Sequence, residues 1–342
     1  MKIFVTGSSG FIRFHLSKKL LEKGYSVHGF DSMNNYYDVK IKKTRLKILK
    51  EYKRFSFTKN KLENKKILSS SILKFKPKVI IHLAAQAGVR YSIENPRAYM
   101  DSNITGTYNI IELAKKINIK HLLIASSSSV YGANKKLPFR ETDKTETQLS
   151  IYAATKKSTE SIAHSYSNIW KTPITMLRFF TVYGPWGRPD MALFKFTKGI
   201  INKKKIDIYN NGKMYRDFTY IDDIVGGIIA LINKAPNKKQ FGKIKNDSLS
   251  PVAPFRVLNI GNTHKVYLLD FINELEKQLG KKAIRNYMAM QKGDVKMTVS
   301  DTSLLKKITG YNPKTHYKIG IKKLIFTTKE KCIVTLLISM TL

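Results

Sequence analysis

The sequence is poor in cysteine, in acidic residues and in long apolar runs. A single cysteine, Cys332, stands among its 342 residues, so no intramolecular disulfide can form, as is usual for proteins of the reducing cytosol. The longest apolar run, residues 332–342, is too short to cross a bilayer. Met1 leads almost directly into an apolar segment, without the flanks of a signal peptide. We therefore expect a cytoplasmic location and no membrane-spanning segment.

Acidic residues are outnumbered 24 to 62 by lysine and arginine, which gives a formal net charge of +38. Such an excess is typical of proteins that bind nucleic acid or anionic membranes. Here the cations are dispersed in many short clusters, and aromatic residues do not alternate with them as they do in single-strand binding surfaces. We interpret the charge as a lysine-rich solvated surface and expect neither nucleic acid nor a membrane as partner. A diffuse positive field would still help to attract a doubly charged small molecule.

Short apolar runs alternate with amphipathic helical stretches through the first half of the chain, and 42% of all residues are hydrophobic. This alternation is typical of a parallel sheet built from βαβ units. The predicted strands are residues 2–6, 26–30, 54–58, 79–83, 121–125 and 174–178, and the predicted helices are residues 11–23, 40–52, 98–116 and 152–170. Six strands with their helices make a complete dinucleotide-binding domain, so we predict the α/β class and a Rossmann-like, doubly wound parallel sheet.

The pattern becomes irregular after residue 178. A segment rich in glycine and proline, residues 184–189, leads to a predicted helix at 192–202 and a short strand at 206–209, and residues 235–255 read as an exposed loop. A helix at 224–233 is expected to return to the first domain. We therefore predict a dinucleotide-binding domain of residues 1–178 with 224–262, a smaller, discontinuous C-terminal substrate domain of residues 179–223 and 263–330, and an atypical apolar tail, 331–342.

Two glycines mark the first strand-to-helix turn. Gly7 and Gly10 let the chain turn tightly and let its backbone approach a pyrophosphate at the helix N-terminus. Asp31 ends the second predicted strand, where a carboxylate accepts hydrogen bonds from the adenosine ribose and repels a 2′-phosphate. The pattern predicts NAD, in preference to NADP, as the cofactor.

Tyr152 and Lys156 lie one turn apart on the same face of a predicted helix. A phenol with a pKa near 10 is a poor base at neutral pH, and a nearby ammonium lowers that pKa. A run of four serines, residues 126–129, ends a predicted strand upstream, where hydroxyls could connect a sugar hydroxyl to Tyr152 in a proton relay. Together these residues predict an acid–base centre for hydride transfer.

This combination resembles the extended short-chain dehydrogenase/reductase family, also known as the NAD-dependent epimerases and dehydratases. Three stretches, residues 31–38, 86–92 and 178–192, are similar in particular to the UDP-glucuronate 4-epimerases. Thr181 stands where galactose-type epimerases generally have asparagine, and the serine run lacks the acidic residues of the 4,6-dehydratases. The resemblance implies a nucleotide-sugar 4-epimerase.

It also implies a set of site residues, a homodimer and no metal. In the dimer, helices 98–116 and 152–170 pair with their symmetry mates. The residues expected to bind NAD are Gly7, Gly10, Phe11, Ile12, Asp31, Asn34, Leu83, Ala84, Ala85, Gln86, Asn103, Ser126, Tyr152 and Lys156. Those expected to act in catalysis are Tyr152, Lys156, Ser127 and Ser128, and those expected to bind the UDP-sugar are Arg90, Ser127, Ser128, Thr181, Arg188 and Arg216.

The chain departs from the family pattern at two positions. Arg13 replaces a third glycine that allows close packing of helix and strand, so either the helix is displaced or Arg13 lies across the pyrophosphate as a counter-ion. Lys61 stands where relatives usually carry an aspartate that contacts the adenine. Both changes bear on cofactor affinity more than on cofactor identity.

The expected reaction is reversible oxidation at C4 of UDP-glucuronate, giving UDP-galacturonate through a 4-keto intermediate. That intermediate is a β-keto acid, which loses carbon dioxide unless the carboxylate is held out of alignment with the ketone; the candidates for holding it are Ser127, Ser128 and Thr181. Two alternatives within the enzyme class are a UDP-glucuronate decarboxylase and a UDP-glucose or N-acetylglucosamine 4-epimerase. A non-catalytic nucleotide-binding protein is the alternative outside it. Family analogy suggests a surface polysaccharide precursor as the destination.

Overall fold

Strands and helices alternate along the first half of the computed structural model, which describes residues 1–329. The predicted tail, 331–342, and Cys332 lie outside the described residues. In chain order the strands are β1 (Lys2–Thr6), β2 (Ser26–Asp31), β3 (Phe55–Lys59), β4 (Val79–His82), β5 (His121–Ser127), β6 (Ile174–Phe179), β7 (Thr181–Tyr183), β8 (Lys205–Tyr209), β9 (Tyr215–Tyr220), β10 (Phe255–Ile260), β11 (Lys265–Tyr267), β12 (Ile284–Met288) and β13 (Met297–Thr298). The six strands predicted in the first half are confirmed, each within two residues at either end.

Helices connect these strands, and the four predicted in the first half are all present. The helices are α1 (Phe11–Glu22), α2 (Val39–Lys50), α3 (Lys65–Phe75), α4 (Val89–Glu94), α5 (Pro96–Tyr99), α6 (Gly106–Lys116), α7 (Ile151–Trp170), α8 (Ala192–Ile201), α9 (Ile221–Leu231), α10 (Leu268–Leu279), α11 (Ser303–Thr309) and α12 (Tyr317–Lys329). None of the helices within residues 1–329 combines the length and apolar character needed to span a bilayer.

Seven parallel strands form the main sheet, in the order β10-β6-β5-β4-β1-β2-β3. The fold is therefore α/β with a doubly wound parallel sheet, as predicted. The chain moves outward in one direction from β1 through β2 and β3 and in the other from β4 onward. A crevice opens at such a reversal, at the carboxyl ends of β1 and β4, and open α/β sheets bind their ligands there.

The sequence prediction of six strands was one strand short. The seventh, β10, contains two polar residues, Arg256 and Asn259, that break its apolar pattern. Both are buried with partners: Arg256 donates to Asp247 at 3.0 and 2.9 Å, and Asn259 bonds to Tyr131 and to the carbonyl of Phe139. Because buried polar groups are tolerated when their hydrogen bonds are satisfied, the strand forms in spite of its composition.

A smaller set of strands stands beside the main sheet. In it β9 pairs with β7, β11 and β13, while β8 pairs with β12. Since β7 begins two residues after β6 ends, the chain passes directly from the edge of the crevice into this second sheet. One apolar cluster includes Val5 and Phe179 of the main sheet together with Phe218 and Phe271 of the smaller part, so the two parts share a core.

The helix predicted at 98–116 is interrupted. A π-helical turn, Met100–Thr105, separates α5 from α6. It brings Asn103 inward, where its amide accepts from the Gln86 backbone at 2.8 Å and donates to the Gln86 carbonyl and the Thr155 hydroxyl. Turns of this kind occur mostly at functional sites, and this one fixes the loop that follows β4 against α7.

Candidate active site

The turn between β1 and α1 has the geometry of an anion site. Gly7 adopts a positive φ of 74°, a conformation that side chains disfavour, and its carbonyl accepts from Gly10 at 2.8 Å. Gly10 caps α1 with extended backbone, without a side-chain cap, and the first turn contains no acidic residue. Free amides at a helix N-terminus favour a phosphate. The residues of this turn therefore fit the diphosphate of a dinucleotide.

Asp31 lies beside this turn at the end of β2. One of its carboxylate oxygens accepts from the backbone of Ser9 at 3.0 Å, and the other accepts from Met33 at 2.7 Å. An ionised carboxylate accepts about four hydrogen bonds, so capacity remains for a ribose. Asn34 follows, exposed, with its backbone and side-chain oxygens both accepting from Lys42. Lys61 is exposed beyond the end of β3.

Arg13 lies over the glycine turn. The turn and the start of α1 are hydrogen-bonded, because Gly7 donates to Phe30 at 2.6 Å and Phe14 donates to Gly10 at 2.9 Å. The guanidinium reaches back across the turn and donates to the carbonyl of Leu83. Burial lowers the pKa of Arg13, while Tyr37 and Asp31 oppose that shift. The structure thus places the Arg13 side chain across the glycine turn.

The segment that follows β4 forms the opposite wall of the crevice. His82 is buried and hydrogen-bonded to the hydroxyls of Thr6, at 2.8 Å, and Thr107, at 3.0 Å. Burial lowers the pKa of His82 to about 3, which keeps the ring neutral. Ala84 donates its backbone N–H to Thr6, and Gln86 is held by Asn103. The predicted residues 83–86 therefore line the crevice, whereas the amide of Asn103 is engaged in holding them.

Tyr152 and Lys156 come from α7, which begins after Ser150 caps it. The Tyr152 ring packs edge-on against Tyr99, with 6.0 Å between centroids. Burial raises the pKa of Tyr152, whereas a hydrogen bond from Ser127 and the charges of Arg188 and Arg13 lower it. The phenol thus has a hydroxyl partner and cations beside it.

Lys156 is buried one turn below. Its ammonium donates to the carbonyl of Ala125 at 2.7 Å. Burial, followed by repulsion from Arg13, lowers the pKa of Lys156 to about 7, and Glu160 opposes the shift.

Glu160 continues the same face of α7 and was not singled out from the sequence. It accepts from Arg178 at 2.9 and 2.8 Å and from the Ser126 hydroxyl at 2.6 Å, all within the buried interior. The hydroxyl of Ser126, a predicted cofactor ligand, is thus directed toward Glu160. The spacing 152, 156, 160 repeats every four residues, and an acidic residue on an otherwise buried helix face was the available signal.

Hydroxyl residues follow one another near the ends of β5 and β6. Ser127 is paired with Phe179 in the sheet register, and Thr181 begins β7 two residues after Phe179. Ser127 accepts from the backbone of Ser129, and a short helical turn begins at Ser128. Ser128 and Thr181 are half-buried.

Three predicted substrate-binding arginines lie at different places. Arg188 is at the centre: it donates to Asp190 and to the carbonyl of Ala87, and its charge acts on Tyr152. Arg90 is exposed, with its guanidinium 5.2 Å from the centroid of the Tyr209 ring in the smaller part of the molecule. Arg216 donates to Asp294 at 2.7 Å on the second sheet. The structure thus brings Arg188 to Tyr152, whereas Arg90 and Arg216 contact other residues.

A second buried arginine connects the glycine turn to the smaller part of the molecule. Arg45, which the sequence analysis did not single out, donates to the Ser9 carbonyl at 3.0 Å and to the carbonyls of Trp186 and Gly187. The turn and the 184–189 segment are therefore held in one arrangement. No group of three or more histidine, cysteine, aspartate or glutamate residues able to hold a metal ion is found within residues 1–329.

Comparison with known proteins gives consistent matches over nearly the whole chain. The family model described as GDP-mannose 4,6 dehydratase matches residues 4–324. The chain is 52% identical to Protein CapI of Staphylococcus aureus, covering 95% of this chain and 97% of that protein. It is 48% identical to a probable UDP-glucuronate 4-epimerase of Rhizobium meliloti, covering 95% and 96%. The structure superposes on UDP-glucuronic acid 4-epimerase from Bacillus cereus, in complex with UDP-glucuronic acid and NAD, with a TM-score of 0.86, 33% identity and coverage of 96% and 99%.

Proposed function

Because the chain belongs to the GDP-mannose 4,6 dehydratase family of extended short-chain dehydrogenases/reductases, we propose that it is an NAD-dependent epimerase acting at C4 of a UDP-hexuronic acid. The reaction interconverts UDP-glucuronate and UDP-galacturonate. One observation carries the proposal: the Tyr152 phenol stands close enough to the Ser127 hydroxyl and to the charge of Arg188 for both to lower its pKa, at the reversal point of the sheet. Relatives bearing the name UDP-glucuronate 4-epimerase, and the solved structure with both ligands, support the substrate and the cofactor.

NAD is held in this proposal by the two ends of the crevice. The free amides of the α1 N-terminus would bind the diphosphate, Asp31 would accept from the adenosine ribose, and Lys156 would donate to the nicotinamide ribose. When bound, NAD supplies a hydride acceptor that returns the same hydride later in the turnover. The protein must therefore keep the oxidised sugar bound while that sugar rotates to present its opposite face.

The chain's own residues move the proton. Tyr152, as the phenolate, takes the proton of the C4 hydroxyl, and Ser127 bridges the two oxygens. Arg188 stabilises the phenolate, because its charge lowers the pKa of Tyr152. After the 4-keto sugar has rotated, the same phenol returns the proton to the oxygen on the opposite face. No other base is needed, since one group acts in both directions.

The carboxylate at C6 requires its own binding residues. The 4-keto sugar is a β-keto acid, and cleavage of the bond to the carboxylate releases carbon dioxide when that bond aligns with the ketone. We assign the carboxylate to Ser127, Ser128 and Thr181, which lie at the end of β5 and just after the end of the neighbouring strand β6. Hydrogen bonds from several donors hold the carboxylate so that its bond to the sugar ring is out of alignment with the ketone. In that orientation the bond does not break readily.

Incubation of the purified protein with UDP-glucuronate, with and without added NAD, tests the function. Proton NMR should show UDP-galacturonate rising to a mixed equilibrium. Formation of a UDP-pentose or its 4-keto form would identify a decarboxylase instead. Failure to form any product with excess NAD would contradict the epimerase proposal for this substrate.

Thr181→Val should shift the reaction from epimerisation toward decarboxylation. The change keeps the shape of the side chain and removes one donor to the carboxylate, a contact worth about 1.5 kcal/mol or more for a charged partner. We expect epimerisation to slow roughly tenfold and the fraction of UDP-pentose to increase. NMR of the products measures both. Thr142→Val, the same change at an exposed position, should match the parent; an unchanged product ratio for Thr181→Val would contradict the assignment.

We also propose that the chain forms a homodimer through the helices of residues 96–116 and 151–170. Exposed apolar side chains on them support this: Met100, Tyr108, Ile151, Ile169 and Trp170. In a dimer with twofold symmetry, this patch on one protomer packs against the same patch on the other protomer. Light scattering should give the mass of a dimer, and Ile169→Glu should give the monomer. Ile284→Glu, an equally drastic change at an exposed isoleucine on β12, should remain dimeric; a dimeric Ile169→Glu protein would exclude this interface.

The remaining assignments follow from the same proposal. We assign residues 1–178 and 224–262 to NAD binding and residues 179–223 and 263–330 to the nucleotide sugar; the two-sheet architecture supports this division. We propose a cytoplasmic location, supported by a single cysteine in 342 residues. Cell fractionation tests the location, since recovery with envelope or secreted material would contradict it.

A further inference from the structure

Arg13 occupies the surface that a diphosphate has to approach. An added Cβ on Gly10 would lie 2.5 Å from Nη1 and 2.9 Å from Cδ of Arg13, and one on Gly7 would lie 3.0 Å from its Nε. The arginine side chain therefore rests against the backbone of both glycines. In a dinucleotide site these glycines exist to let the pyrophosphate reach that backbone. A diphosphate and the present arginine conformer compete for one space.

The side chain is held there weakly. Its guanidinium has five N–H donors, and the hydrogen bond it makes among residues 1–329 goes to the neutral carbonyl of Leu83. No carboxylate of the described residues forms an ion pair with it. Tyr37 and Asp31 attract it and Arg188 repels it, and it in turn lowers the pKa of Lys156. An anion that binds at the turn therefore displaces a side chain whose one hydrogen bond there goes to a neutral carbonyl.

We propose that Arg13 is a displaceable cover of the cofactor site: NAD binds only after the guanidinium leaves the Leu83 carbonyl and swings off the glycine turn. This rests on the proposed function only in taking NAD as the ligand. A counter-ion role in the present conformer is disfavoured by position, because the side chain contacts Gly10 itself and does not stand beyond an anion bound to the α1 amides. We therefore expect bound NAD to exchange with NAD in solution.

The cover predicts how NAD affinity responds to substitution. Arg13→Gly removes the side chain and should lower the Kd for NAD about tenfold, since displacement costs a hydrogen bond and the desolvation of a new position. Arg13→Met keeps the bulk without the charge and should stay within about threefold of the parent. Lys19→Gly, the same loss of charge and the same glycine on the exposed face of α1, should bind as the parent does.

Titration calorimetry with NAD alone measures these constants, and nucleotide released by acid from the purified proteins gives the retained NAD. The parent should retain little and Arg13→Gly a larger fraction; thermal melts establish that each variant is folded. Weaker binding by both Arg13→Gly and Arg13→Met would overturn the cover in favour of a counter-ion, and equal binding by Arg13→Gly would overturn it outright. If the parent epimerises with added NAD while Arg13→Gly gains no affinity, only the cover fails; if no variant binds NAD, the cover and the proposed function fail together.

Discussion

Replacement of Tyr152 by phenylalanine should lower kcat about a thousandfold while NAD affinity stays the same, because a general acid–base group of this kind contributes roughly 10²–10⁴ in rate. The Ser127 hydroxyl and the charge of Arg188 lower the pKa of this phenol, which burial raises. Phenylalanine keeps the edge-on packing against Tyr99 and removes only the hydroxyl. Product formation is followed by NMR, and NAD binding by calorimetry.

Tyr99→Phe is the matched control for this substitution. Tyr99 is buried in contact with Tyr152, and its hydroxyl donates to the Gly88 carbonyl at 2.6 Å, away from the proton relay. We expect its loss to slow the reaction less than about tenfold, through a small shift of the loop that carries Gly88. If Tyr152→Phe retained more than a tenth of the parental rate, another residue would have to be the base.

Glu160→Gln should reduce the free energy of unfolding by about 3 kcal/mol, the lower end of the range for breaking a buried ion pair. Glu160 and Arg178 are both buried, and two N–H groups of Arg178 meet the two carboxylate oxygens. Glutamine has almost the same volume, so the loss arises from the charge of Arg178, which remains buried without compensation. The Ser126 hydroxyl also loses its charged acceptor. Chemical denaturation monitored by circular dichroism measures the change.

Asp101→Asn provides the comparison at the surface. It breaks the ion pair of Arg97 and Asp101, which are 2.8 Å apart with both side chains exposed. Exposed pairs contribute less than about 1 kcal/mol because water and salt screen them. A Glu160→Gln protein as stable as Asp101→Asn would show that Arg178 finds another partner, and the Glu160 network would then not support β5.

The position of the crevice could be predicted from the sequence because its components are local. Gly7 and Gly10 follow an apolar run and open an amphipathic one, and the spacing of Tyr152 and Lys156 is that of one helical turn. The place of Asp31 at the end of the second strand could be predicted from the usual length of one strand-helix-strand unit. Such features depend on backbone geometry, which short stretches of sequence determine.

What could not be predicted depends on partners distant in the chain. Arg13 adopts its place because the Leu83 carbonyl is available 70 residues later. Glu160 is buried because Arg178 meets it, and Asn103 turns inward because Gln86 and Thr155 offer bonds on two sides. Local sequence predicts a polar residue to be exposed, because the hydrogen-bond partner that would allow its burial is distant in the chain.

The same applies to Asp217 in β9, the neighbour of Arg216, which the sequence analysis did not single out. It is fully buried and accepts from Thr219, Asn262, Thr263 and Ser300. Burial raises its pKa, and the hydrogen bonds from Ser300, Asn262 and Thr219 lower it. One carboxylate thus joins β9 to the segments that follow β10 and β13, and its role is to fix the smaller part of the molecule against the main sheet.

The order in which strands enter the main sheet has a consequence for biosynthesis. Strand β10 pairs only with β6, yet 75 residues that build β7, β8 and β9 separate the two in the chain. Until residue 260 has left the ribosome, β6 presents an open edge whose backbone groups can pair with other chains. A nascent chain stopped before β10 is therefore an aggregation hazard, and a fragment cut there would carry the same exposed edge. Translation through β7, β8 and β9 is thus required before β6 gains β10 as its second neighbour.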